Sequence, residues 1–376
     1  LRSPGYAAAL IAAAVLFCSP LFAQAVDDRI AIEAADWPWW RGPSRNGVAN
    51  PDQDPPTHWS ASENVLWKVP VPGRGHSSPT VVGSGVFLAT ADEEQDTQLV
   101  LCYDRQSGQQ RWQAEVHRGG LMRKNEKSSG ASSTVACDGK SLFINFANGG
   151  AVYLTALSVD GKREWQAKIA DYKIYQGYGA SPTLYRSLVI AVADSHLGGA
   201  IAAFDRQTGQ IVWKRDRPKE PNYPSPIILN VAGRDQLLLT GCNLFSSFDP
   251  LSGETLWEVK AATTECVTST VTDGQRVFCS GGYPKNHLAA VLADGSGKLV
   301  WETKDRIYVP SLLAKDGHLY ATLDAGVAVC WKSDTGKEKW KKRLGGEFSA
   351  SPVLVGETIY ASNNLGETFV YRADPE

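Results

Sequence analysis

The sequence predicts an all-β fold, a β-propeller of four-stranded antiparallel blades, and three observations carry that expectation. First, a glycine followed four residues later by tryptophan recurs at Gly108/Trp112, Gly161/Trp165, Gly209/Trp213, Gly253/Trp257, Gly297/Trp301 and Gly336/Trp340. Second, a serine opens each unit, often as Ser-Pro: Ser78, Ser133, Ser181, Ser225, Ser269, Ser311 and Ser351. These openers lie 40 to 55 residues apart, the span of a propeller blade. Third, 12 tryptophans and 35 glycines stand against a single methionine, and no sustained helical periodicity follows residue 30.

Each unit reads the same way in order. After the opener comes a short apolar strand, then a glycine turn such as Asp138-Gly139, Asp273-Gly274 or Asp316-Gly317. A second strand follows (Val86-Phe87-Leu88, Leu142-Phe143-Ile144), then a variable loop and a third strand (Leu101-Cys102-Tyr103, Ala202-Ala203-Phe204). The fourth strand is set by the turn before it. In Asp205-Arg206-Gln207-Thr208-Gly209 the carboxylate accepts from backbone N–H groups just downstream, and glycine takes the φ > 0 position. Tryptophan then falls at a fixed place, and a lone unit cannot hide its ring, whereas stacked units can. Leu157, Ala293 and Lys332 replace the turn aspartate in three units, so Asp160, Asp294 and Asp334 are expected to satisfy those turns.

Seven openers predict seven visible blades. The seventh unit stops after Thr368-Phe369-Val370-Tyr371, before any tryptophan strand. Conversely, Glu63–Lys68, carrying Trp67, reads as a last strand without predecessors. Two readings stay open: the orphan strand closes the seventh blade, or the chain is cut short at its C-terminus and a further blade is missing.

Three segments follow. Residues 1–25 read as a secretory signal: Arg2, an apolar run from Tyr6 to Phe17, and an Ala-x-Ala site at Ala23-Gln24-Ala25. Lipidation at Cys18 is the alternative, although bulky Phe17 precedes it. Residues 26–62 read as an extended Trp/Pro-rich arm strapped onto the body by Trp37, Trp39 and Trp40, and residues 63–376 as the propeller. On this reading Trp213→Ala costs far more stability than Trp39→Ala.

The formal net charge of -2 gives no reason to expect nucleic acid as a partner. The six cysteines after the signal form no Cys-x-x-Cys pair, and Cys102 and Cys330 occupy equivalent places as small core fillers. Asp92-Glu93-Glu94-Gln95-Asp96 lacks calcium-loop spacing. The six histidines form no metal or triad motif, and no Gly-x-Ser-x-Gly elbow is present. Residues just before the openers line the mouth of a propeller's channel; here Arg74, His76, Tyr178, Asn222, Tyr223, Tyr283 and Tyr308 are the candidate binding residues. No metal ligands and no catalytic residues are assigned.

The Asp-x-x-Thr-Gly-x-x-x-Trp pattern, clearest at Asp205–Trp213 and Asp249–Trp257, resembles the pyrroloquinoline-quinone (PQQ)-type propeller repeat. Trp37–Pro43, Gly73–Pro79 and Gly346–Pro352 make residues 36–376 similar to secreted bacterial proteins grouped with the propeller lipoprotein of the outer-membrane β-barrel assembly machinery. That resemblance implies eight blades and an exported, periplasmic, non-catalytic monomeric scaffold, without cofactor, that binds an envelope protein or a small molecule. It implies no membrane span once the signal is removed. The alternative it implies is a PQQ-dependent oxidoreductase with calcium. The sequence departs from that enzyme pattern, because no two cysteines are adjacent.

Overall fold

The computed structural model describes residues 30–376; the signal segment and Cys18 lie outside the described residues. Its regular structure is all β, with no helix among the described residues. Seven antiparallel sheets follow one another along the chain, over residues 80–118, 136–171, 183–217, 227–259, 271–303, 313–343 and 353–372, numbered here blades 1 to 7. Blades 1 to 6 have four strands, A to D in chain order, and blade 7 has three.

Blade 3 shows why these residues make this unit. Its B strand, Leu188–Ala193, is buried along its whole length, as a continuous apolar run between two neighbouring sheets should be. Strand C, Gly199–Asp205, ends at the aspartate whose Oδ1 accepts from the Gln207 and Thr208 backbone N–H groups at 3.1 and 2.8 Å. Gly209 at φ +71° completes the turn. The return strand D pairs Trp213 with Ala203, followed by a register shift. Every complete blade repeats this bulge, and the residue facing the tryptophan is small: Cys102, Ala156, Ala203, Ser247, Ala290 or Cys330. Cys102 and Cys330 are therefore packing residues, and burial pushes both thiols up to about 11.

Each of these indoles locks two blades together. Trp165 lies on Gly209 so closely that a Cβ there would meet the ring at 2.6 Å, and its Nε1 donates to Arg206 O at 2.9 Å. Trp112 on Gly161, Trp213 on Gly253 and Trp301 on Gly336 repeat the contact. Trp257 departs from it: its Nε1 donates to Gln236 Oε1 in its own blade, and its ring sits 3.6 Å from the Cβ position of Gly297.

Strand A lines the axis, where a hydrogen-bond ladder joins the openers. Backbone N–H groups of Ser78, Thr134, Ser181, Ser269 and Ser311 donate to the hydroxyls of Thr134, Ser181, Ser225, Ser311 and Ser351, all within 2.9–3.0 Å. In blade 2 the ladder residue is Thr134, one position after the expected Ser133, because Ala136 rather than Val135 begins the strand. Two expected turns also differ. Asp294 does accept from Ser296 N–H, but in blade 2 Ser158 Oγ takes the role expected of Asp160, accepting from Lys162 N–H. Asp334 accepts only the Thr335 hydroxyl, and the blade 6 turn closes through Gly336 N–H to Lys332 O.

The orphan segment does not complete blade 7. Residues 63–68 form no strand pair with Thr368–Arg372, whose outer edge borders a cavity of about 620 Å³ flanked by Trp340, Phe369 and Tyr371. Trp67 instead docks on Gly108 of blade 1 and donates to Arg105 O at 2.9 Å. It obeys the same rule as the other indoles, seating on the glycine turn of the blade that follows it.

The arm is a hub rather than a peripheral strap. Trp37 bridges Val81 in blade 1, and Pro38 O accepts from Cys137 N–H in blade 2. Arg45 donates to Leu184 O in blade 3, and Trp40 packs with the buried core of blade 4 while donating to Ser269 Oγ ahead of blade 5. Arg41 donates to Leu312 O and Pro352 O, and Leu354 N–H donates to Gly47 O. The arm thus touches every blade near strand A and fills the axis beyond the openers. Trp39, 5% exposed, is buried as deeply as Trp213 at 8%, which removes the basis for expecting Trp39→Ala to be mild.

Candidate functional site at the axial mouth

With the arm filling one side of the opener ladder, the segments before the openers form the other end of the axis. The structure brings Asn222, Tyr223, Tyr283 and Tyr308 together there, around Glu265, which the sequence reading did not single out. Glu265 lies four residues before opener Ser269, much as Tyr308 lies three before Ser311, so the spacing rule itself pointed to it. Its backbone bridges Tyr283, and the Tyr308 hydroxyl donates to its Oε2 at 3.4 Å. Gly282 makes room for this: a Cβ there would stand 2.5 Å from Tyr308 Cβ and 2.6 Å from its ring. The Tyr223 hydroxyl lies near enough to hold the Glu265 pKa down, yet it is buried without a well-formed hydrogen bond. Burial outweighs these donors and raises the Glu265 carboxyl above its ordinary value.

Asn222 is a lock rather than a ligand-facing amide. Its Nδ2 donates to Thr240 O at 2.7 Å and Asp194 Oδ2 at 3.3 Å, and its Oδ1 accepts from Cys266 N–H at 2.9 Å. Gly241 is required beside it, since a Cβ would fall 1.9 Å from Asn222 Oδ1. Beneath the lock, Arg217 and Asp194 form a bidentate pair at 3.2 and 3.1 Å with side chains 3% and 2% exposed. Burial alone pushes the Arg217 pKa down, but the Asp194 charge and hydrogen bonds overcome it and hold the guanidinium above its usual value. No sequence signal linked these two, because their meeting depends on the end of strand D of blade 3 reaching across strand C to the end of strand B.

The remaining expected residues lie elsewhere. Tyr178 is buried in the core, its hydroxyl donating to Val192 O at 2.8 Å and its ring edge-on to Tyr172. Arg74 and His76 belong to the side of blades 1 and 2, where Arg74 donates to Glu126 O and the His76 backbone to Ala131 O. The rim near Glu265 carries Tyr283, 50% exposed, and the Tyr175–His196 pair with rings 5.2 Å apart, next to Leu197, 56% exposed.

A quinone with calcium asks for a carboxylate base beside the ion and a disulfide between adjacent cysteines against the cofactor. These residues do not fit it. Asp194 and Asn222 are consumed by Arg217, Thr240 O and Cys266 N–H, and the six described cysteines are all separate, buried and free. Among the described residues no three His, Cys, Asp or Glu side chains converge as metal ligands.

Repeat pattern, blade topology and interlocking indoles define a PQQ-type β-propeller. The chain belongs to the family described as outer membrane protein assembly factor BamB, whose model matches residues 57–226, 96–308 and 285–374. It is 23% identical over 314 residues to outer membrane protein assembly factor BamB of Bordetella pertussis, covering 79% of this chain and 72% of the relative. It is also 24% identical over 349 residues to tetrathionate hydrolase of Acidithiobacillus ferrooxidans, 80% of this chain but only 65% of that enzyme's length. The crystal structure of BamB from Moraxella catarrhalis superposes with a TM-score of 0.56 at 17% identity, over 77% of this chain and 82% of the other. Quinohemoprotein alcohol dehydrogenase ADHIIG of Pseudomonas putida HK5 gives 0.53 at 14% identity, over 78% and 61%. At these identities the structural likenesses speak for the fold.

Proposed function

We propose that this chain is an exported, non-catalytic scaffold of the bacterial envelope that holds another envelope protein at the axial mouth. One observation carries the reading. Beneath the mouth Asn222 and the Asp194–Arg217 pair are locked into the protein, while aromatic and apolar side chains stand exposed around it. Groups held in this way position the mouth, and the exposed rings around it suit a partner segment. Membership of a family described by outer-membrane protein assembly supports an envelope partner. No helix among the described residues is long and apolar enough to cross a membrane.

The test compares capture from an envelope extract by the wild-type chain and by Leu197→Asp/Tyr283→Asp, with mass spectrometry naming what is held. The expected result is an envelope protein retained by the first and lost from the second. Stoichiometric retention of the quinone with calcium, together with alcohol-dependent dye reduction, would overturn the proposal in favour of an oxidoreductase.

A further inference from the structure

Resting on that reading of the mouth, we propose that Glu265, Tyr223 and Tyr308 form a receptor for a primary ammonium group, the tip of a lysine side chain presented by the partner. Glu265 is only 4% exposed, yet it makes no salt bridge. Its carboxylate receives one long contact, 3.4 Å from the Tyr308 hydroxyl, with the Tyr223 hydroxyl close enough to act on it. A buried carboxylate in this condition is costly, and structures usually relieve it with a cation.

The cations nearby do not serve. Arg217 is committed to Asp194 in a bidentate pair. The basic group that acts on Glu265 is His196, an exposed ring engaged with Tyr175, and a second carboxylate, Glu220, adds negative potential. The deficit is therefore one of positive charge, and a visiting group can fill it.

Chemistry narrows the visitor. The site offers one carboxylate and two phenol oxygens. The Tyr223 hydroxyl makes no well-formed hydrogen bond, and Tyr308 keeps acceptor capacity after donating to Glu265. An ammonium carries three N–H donors and no acceptor, which matches a carboxylate flanked by two phenol oxygens. A guanidinium presents a flat fork better suited to a bare carboxylate. The apolar stem of lysine would lie along the exposed rings of Tyr283 and Tyr175, as such stems do on aromatic surfaces.

The experiment titrates Nα-acetyl-lysine amide into the full chain by ligand-observed NMR, with Nα,Nε-diacetyl-lysine amide as the uncharged control. Saturable binding of the first is expected, at least tenfold weaker for the second. Glu265→Gln should weaken the first at least tenfold, and Tyr223→Phe, which keeps the ring and removes only the oxygen, at least threefold. Equal binding of the two probes, no binding of either, or an unchanged affinity in Glu265→Gln would overturn the proposal. Should Glu265→Gln fail to fold, Tyr223→Phe and the uncharged probe decide the matter alone. The two readings fail separately. If the lysine probe binds while Leu197→Asp/Tyr283→Asp still captures its envelope protein, the ammonium site stands and the placement of the partner on this rim falls. If capture depends on the rim but the probe does not bind, only the ammonium site falls.

Discussion

Gly209→Ala isolates the contact that turns separate sheets into one ring. Gly209 sits at φ +71°, and a Cβ there would stand 2.6 Å from the Trp165 ring. Gly317, at φ +73°, has nothing within 4 Å of its Cβ position. The backbone penalty of alanine in the left-handed region is therefore common to both, roughly 1–2 kcal/mol. Gly209→Ala must in addition push the half-buried indole out of its seat. The Nε1 bond to Arg206 O is then lost, about 1 kcal/mol. A fraction of the roughly 3–5 kcal/mol that deleting a buried aromatic ring costs is lost as well. The expected destabilisation is about 3–4 kcal/mol for Gly209→Ala against about 1–2 kcal/mol for Gly317→Ala. Urea unfolding followed by tryptophan fluorescence and by far-ultraviolet circular dichroism gives both values and tests whether the transition is cooperative. A double-mutant cycle sharpens the result: in a Trp165→Ala background the steric part vanishes, and Gly209→Ala should cost no more than Gly317→Ala. Equal costs for the two glycines in the wild-type background, or additivity in the cycle, would refute the interlock.

Three other outcomes follow from the packing of the same blades. Trp39→Ala should destabilise by roughly 3–5 kcal/mol, as a deeply buried ring does, and a denaturation midpoint near wild type would remove the arm from the core. His117, packed on Phe146 and Tyr153, has its pKa lowered to about 4 by burial and by the Arg163 charge. Its folded-state value lies below that of the unfolded chain, so the unfolded state binds the proton first. The stability this neutral ring contributes is whole above about pH 6.5 and is lost as pH falls toward 4. After allowance for its partial exposure the loss is about 1–2 kcal/mol, so His117→Phe should flatten the wild-type pH profile by that amount across this window. The thiols of Cys102, Cys137 and Cys330 are buried and pushed up to about 11, 12 and 11. Alkylating reagents at pH 8 should label them only after unfolding, and rapid labelling of native protein would contradict the assigned packing.

The sequence by itself determined the repeated unit. The Asp205–Gly209 turn, the small residue facing each indole and the short apolar strands all act within a few residues of chain, so type and spacing specify them. Repetition then multiplies one local solution, which is why the seven visible units and the wedging of tryptophans between sheets were legible, whereas the final blade number was not. Local substitutes were legible only in part. Asp294 took the expected turn role, but Ser158 replaced Asp160, because two acceptors stood close enough in the chain to serve.

Tertiary structure alone decided where the ends of the chain go and which polar groups meet at the mouth. Trp39 and Arg41 reach the inner ends of several blades at once, a placement fixed by the sheets stacking side by side and by no pattern within residues 30–62. Tyr178 and Asn222 share the pre-opener position with Tyr308. One became core and another a lock because of Val192 O, Thr240 O and Asp194, which neighbouring strands supply. Turns and pleats arise from interactions along the chain; a site forms from side chains that only the assembled blades bring within reach of one another.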